Sequence, residues 1–149
     1  MQQQEPNLYR VARDQVNGMT QERWAAMLGV SVQAVRAYEA GTMMPADDIV
    51  LSMADLSGMP VLGLWHLRRK SAVAAEMLPP VERLPLAQAV VQLLAQIHIF
   101  EERHHADALL LISSDGIVDE GEMPRFKEVV SDLFPLVKAA LQIDYAIKD

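Results

Sequence analysis

Apolar residues recur along this chain at helical intervals, interrupted by glycine, proline and small capping residues, and so predict a series of short amphipathic helices. Leu8, Val11, Ala12 and Val16 share one face of a segment that Asn7 can cap and Gly18 can end near Asn17. Thr20 stands as an N-cap before Trp24, Ala25 and Leu28, which make one buried face, and Gly29 ends that helix where positive φ is cheap. Ser31 caps the next helix, Val35 and Tyr38 point inward, and Gly41 closes it. Val32, Gln33, Ala34, Arg36 and Ala37 are left facing outward. A fourth helix is expected from Ile49 to Leu56. After Pro60 comes a fifth, whose basic end Arg68-Arg69-Lys70 suits the negative pole of a helix.

The second half reads differently. Pro79, Pro80 and Pro85 stiffen the chain and block helix continuation, so residues 71–85 read as a linker. From Leu86 a long pattern follows: Leu86, Val90, Leu93, Leu94, Ile97 and Phe100, then Ala108, Leu111 and Ile112. It predicts a helix of about 28 residues, some 42 Å long at about 1.5 Å per residue, with a possible break at His104-His105. Asp115-Gly116 marks a turn, and Asp119 with Glu122 forms a capping-box pattern before a last helix. Pro124 fits that helix's first turn, whereas Pro135 should kink it. No internal repeat or strand pattern is present. A helical hairpin this thin cannot bury both its apolar faces alone; it must pack on the head or on a second copy.

The two helices joined at Gly29 have the layout of a DNA-reading helix-turn-helix. Thr20-Gln21-Glu22, Ala25, Leu28-Gly29-Val30-Ser31, Val35, Tyr38-Glu39, Gly41, Pro45 and the apolar run from Ile49 to Leu56 resemble the lambda-repressor-like (Cro/XRE-type) helix-turn-helix family over residues 7 to 70. The resemblance implies an all-α bacterial-type regulator: a five-helix DNA-binding head at 7–70, the linker, and a helical C-terminal domain at 86–149. On the recognition helix, Gln33 can pair with adenine and Arg36 with guanine, while Val32 and Ala34 suit a thymine methyl. The family implies a phosphate contact for Gln21, and Ser31 and Thr42 can extend that clamp. Two departures stand out. The loop after the recognition helix carries Met43 and Met44 instead of polar residues, and either Arg13 or Asp14 can face Glu39. The run from Asp115 to Pro124 also resembles extensions on some regulators of this family, without implying any chemistry.

Composition bounds the partners. The 149 residues hold no cysteine, which removes disulfides and thiolate metal sites and fits a cytoplasmic protein. The amino terminus has no leader pattern, and no apolar run is long enough for a membrane span. Through Lys70, seven basic residues meet seven acidic ones; beyond it, six face thirteen, so the tail carries the whole formal charge of −7. A neutral head predicts modest DNA affinity with steep salt dependence, helped by pairing two heads. Dimers of this type set two recognition helices about 34 Å apart. The expected partners are therefore a double-stranded DNA operator and a second copy held through the C-terminal helices. Repression is the commoner outcome for this architecture.

Other chemistry is poorly supported by spacing. His98, Glu101, Glu102, His104 and His105 contain Glu-x-x-His pairs, but the last helix offers no partner histidine, so a solvated polar patch is expected. Asp115 to Glu122 places its glycines wrongly for a calcium loop. His66 beside Trp65 reads as a core-edge histidine. No phosphate loop, nucleophile elbow or acid–base pair is found, so no enzyme activity, metal or cofactor is expected. The competing readings are an interaction adaptor that no longer binds DNA, and a ligand- or metal-sensing regulator using the C-terminal helices.

Overall fold

The computed structural model describes residues 6–147; Met1–Glu5, where no leader is expected, lie outside it, as do Lys148 and Asp149. Among the described residues there are nine helices and no strand, in two compact units, Met1–Pro80 and Val81–Asp149.

The N-terminal unit contains α1 (Leu8–Gln15), α2 (Gln21–Leu28), α3 (Val32–Ala40), α4 (Asp47–Ser57), α5 (Val61–Lys70) and α6 (Ala72–Met77). Its helix starts follow the capping chemistry. The Asn7 side chain accepts from the amides of Tyr9 and Arg10, Thr20 from Arg23, and Ser31 from Ala34. Gly29 and Gly41 end α2 and α3 at φ 69° and 75°, the left-handed region a side chain avoids. Trp24, Val35, Val50, Met53 and Leu62 are fully buried and form the core, with Tyr9 and Ala12 from α1. On α1 the buried pair is thus Tyr9 and Ala12, while Leu8, Val11 and Val16 are only half-buried. Tyr9 wins the inner position because its ring packs edge-on against Trp65 and its hydroxyl finds a partner in His66.

Within 71–85, read from sequence as a linker, Ala72–Met77 is helical. The run Ala-Val-Ala-Ala-Glu-Met favours a helix, Ser71 caps it, and the prolines come only afterwards. Arg68 secures its far end by donating to the carbonyls of Ala75 and Leu78.

The C-terminal unit contains α7 (Leu86–Glu102), α8 (His105–Ile112) and α9 (Met123–Asp144). The helical stretch expected from Leu86 breaks at the His104-His105 position read from sequence: His104 adopts φ 53°, the one positive φ outside glycine among the described residues. The hairpin's first arm is therefore two helices. A lone bridge pairs Pro85 with Ile147, and the Ile147 amide donates to the Leu84 carbonyl at 2.9 Å. Arg103, at the other end of α7, meets Asp132 of α9, so α7 and α9 run antiparallel. Asp119 and Glu122 exchange hydrogen bonds as a capping box does, at 3.3 and 2.8 Å, closing the turn just ahead of α9. Pro124 sits in the first turn; Pro135 lies inside α9, where it denies the Ser131 carbonyl its helical donor. No helix among the described residues is long and apolar enough to cross a membrane.

Candidate nucleic-acid interface

The outer face of α3 is a short surface presented by two capped helices. Nine residues make it roughly 13 Å long at about 1.5 Å per residue, comparable to the width of a major groove. Gln33 and Arg36 are exposed on it, whereas Val32 and Ala34 are half-buried at its start. Ser31 is exposed, with its hydroxyl engaged in capping Ala34. Thr42, beyond the other end, is exposed and donates its hydroxyl to the Ala37 carbonyl. Gln21, at the first turn of α2, lies behind Arg36.

A polar network fixes α3 to its neighbours. Arg13 of α1 grips Glu39 with two guanidinium nitrogens, at 2.6 and 3.1 Å, and donates a third bond to the Met19 carbonyl. The choice left open by the sequence thus falls to Arg13. Asp14 stays outside, beside Arg13 and Arg10. Glu39 is almost buried and also accepts from the Gln21 amide at 2.8 Å. The Gln21 oxygen in turn accepts from Arg36 at 3.3 Å, leaving one amide N–H unassigned. Hydrogen bonding to Glu39 raises the Arg13 pKa further, so its charge is permanent.

Arg36 also stands 3.5 Å from the Glu22 carboxylate. Glu22 is held below its ordinary pKa by its own backbone N–H, then by the Thr20 hydroxyl, with Arg36 adding a smaller attraction. It is therefore charged at neutral pH and competes for the guanidinium. Of the residues singled out from sequence, Gln21 and Arg36 are directly joined, Ser31 to Ala34 cluster at the start of α3, and Thr42 marks the opposite end. Glu22 and Glu39 were not singled out as partners of Arg36 and Gln21. The signal for Glu22 was its place one residue after Gln21, on the same exposed turn.

Met43 and Met44 are exposed and border a half-open cavity of about 230 Å³, with Tyr9, Gly41, Thr42 and Arg69. Beneath it runs a chain of polar contacts that no local spacing announces. The Tyr9 hydroxyl bonds His66 Nδ1 at 2.8 Å, His66 Nε2 meets Asp47 at 3.0 Å, and Lys70 meets the same carboxylate oxygen at 2.7 Å. Lys70 first, then His66, hold the Asp47 carboxyl below its usual pKa. His66 is accordingly buried and satisfied.

In the C-terminal unit, His98 and His104 are exposed beside Glu102 and Asp107. His105 departs from the expected solvated patch: it is fully buried, edge-on to Phe100, with Nε2 2.6 Å from Asp132. Its other ring nitrogen has no hydrogen-bond partner. Among the described residues, no group of three or more histidine or carboxylate side chains is placed to hold a metal ion.

Residues 12–62 match the helix-turn-helix family, a DNA-binding regulatory domain and not an enzyme family. No curated protein and no solved structure matches the chain. With its capped helices, its glycine turn and its locked third helix, the segment 12–62 is a helix-turn-helix domain of the Cro/C1 type.

Proposed function

We propose that this chain is a sequence-specific transcriptional regulator, a cytoplasmic repressor that occupies an operator with α3 in the major groove. The observation that carries the reading is the exposed pair Gln33 and Arg36 on a helix whose back is locked by Arg13, Glu39 and Gln21. Gln33 reads adenine and Arg36 guanine, with Val32 and Ala34 against thymine methyl groups. Gln21 offers its remaining amide N–H to a phosphate, and Ser31 and Thr42 flank the same backbone. The C-terminal helices pair two heads, so that each reads one half-site. No cofactor is needed for this mode.

Selection of genomic fragments followed by sequencing tests it. The intact chain should enrich a palindromic or direct-repeat site, and the Gln33→Ala, Arg36→Ala double variant should lose that enrichment while keeping its helical spectrum. A second reading, an adaptor without DNA affinity, is favoured by Glu22 beside Arg36 and by the neutral head. Absence of enrichment at low salt decides for the adaptor.

A further inference from the structure

We propose that the half-open cavity at the end of α3 is the seat of one DNA backbone phosphate, held by Arg69 of α5. The seat rests on the DNA-binding reading above and supplies a cation to it, since the backbone contacts assigned there, Gln21, Ser31 and Thr42, are all uncharged. The distribution of charge in the head points to Arg69. Of the seven basic residues through Lys70, Arg10 stands beside Asp14, Arg13 grips Glu39, Arg36 faces Glu22 and Lys70 meets Asp47. Arg68 donates to the carbonyls of Ala75 and Leu78. Among the described residues, the Arg23 and Arg69 guanidinium groups meet no such acceptor. Arg23 lies two residues beyond Gln21, about 200° around α2 from the side chain that meets α3. Arg69 instead lines the cavity with Gly41 and Thr42, the residues at which α3 ends.

The two hydroxyls lining the cavity have no proton to offer an anion. Thr42 donates to the Ala37 carbonyl. His66 Nε2 faces the Asp47 carboxylate, so the imidazole carries its proton there and Nδ1 accepts from Tyr9. The Arg69 guanidinium keeps its N–H groups free, yet it is held in place: its central carbon lies 4.6 Å from the centre of the Trp65 ring. Burial raises the Tyr9 pKa and the Arg69 charge opposes that rise, so the guanidinium acts on the same wall of the cavity. A planar fork of donors fixed on an aromatic face suits the paired oxygens of a phosphodiester. Met43 and Met44 border the space, about 230 Å³, with apolar thioether side chains that limit screening of the pair by water.

Titration of the full chain against a fluorescein-labelled duplex of random sequence, at a series of salt concentrations, tests the proposal. One phosphate contact adds about 0.9 to the slope of log affinity against log salt. Arg69→Ala should flatten that slope by about 0.9, weakening binding about fifteen-fold at ~0.05 M salt and about five-fold at ~0.15 M. Arg69→Lys, which keeps the charge, should restore the slope, and Arg23→Ala should leave it unchanged. Gln33→Ala should change the bases selected from genomic fragments and not the slope, so base reading and phosphate seating are told apart. In protein labelled at its methionine methyl groups, the Met43 and Met44 resonances should move on adding the duplex and not on adding inorganic phosphate. An unchanged slope for Arg69→Ala overturns the seat and leaves the DNA-binding reading standing. Equal flattening by Arg23→Ala also overturns it, because the effect is then one of net charge. Methyl shifts with inorganic phosphate, beside a duplex slope indifferent to Arg69, assign the cavity to a free anion instead. A wild type that binds no duplex at low salt removes the reading and the seat together.

Discussion

Arg36 can reach a base only by leaving a carboxylate. Glu22 and Arg36 are both more than half exposed, and a surface ion pair of this kind contributes little, so DNA can displace it. Glu22→Gln should therefore tighten binding to the selected operator a few-fold in a fluorescence titration, and Glu22→Ala should do the same. Arg36→Ala should cost about 1–3 kcal/mol of discrimination at one base pair and leave the remaining positions as they were. Glu39 is different, since it is nearly buried between Arg13 and Gln21. Arg13→Ala strands that carboxylate and should destabilise the head by about 3 kcal/mol in thermal unfolding, because breaking an ion pair is costlier than never having one. The residue types at 21, 33, 36 and 39 were legible in the sequence; the identity of the cation facing Glu39 was not. Adjacent helical residues point about 100° apart, and the rotation of α1 is set by Tyr9, whose hydroxyl partner lies in α5.

At the scale of elements, local chemistry was the legible part. Asn7, Thr20 and Ser31 cap the helices they precede, and Gly29 and Gly41 end those they follow, since caps act within three or four residues. The linker expectation missed α6 because prolines ahead in the chain outweighed a short helix-favouring run. The break at His104-His105 was legible in the sequence, but not the burial of His105 beside it, whose hydrogen-bond partner Asp132 lies far along the chain. His104→Gly should relieve that backbone and raise stability by about 0.5–1 kcal/mol, read as a small rise in melting temperature. Asp132 gives a pH signature. Its carboxyl is held below the ordinary value, first by the hydrogen bond to His105 and then by that to Arg103. The unfolded chain therefore takes up the proton first. The stabilisation is complete above the ordinary carboxylate pKa of about 3.9 and is lost as pH falls through the depressed folded value. Asp132→Asn should melt earlier than wild type at neutral pH, and the two curves should converge as acid is added.

The whole molecule separates charge from recognition. The head balances its ions almost internally, Arg13 with Glu39, Arg36 with Glu22 and Lys70 with Asp47, and the tail is strongly acidic. Such a chain gains little from a general attraction to phosphate, so non-specific binding should be weak at physiological salt. On the proposed reading, occupancy of an operator comes from base contacts made by two heads. If two heads act as one ligand, the second binds at the effective concentration set by the first, which multiplies affinity by about 10²–10⁴ without any new contact. If the C-terminal helices pair the heads as proposed, an Asp at the exposed Leu94 of α7, which leaves α3 untouched, should weaken binding to a two-half-site probe by about that factor while barely changing binding to a single half-site. The same variant should prefer the same bases. Titrating both probes with both proteins separates the contributions: an equal loss on the two probes would mean the substitution had damaged the head, and no loss on either would mean that one head suffices.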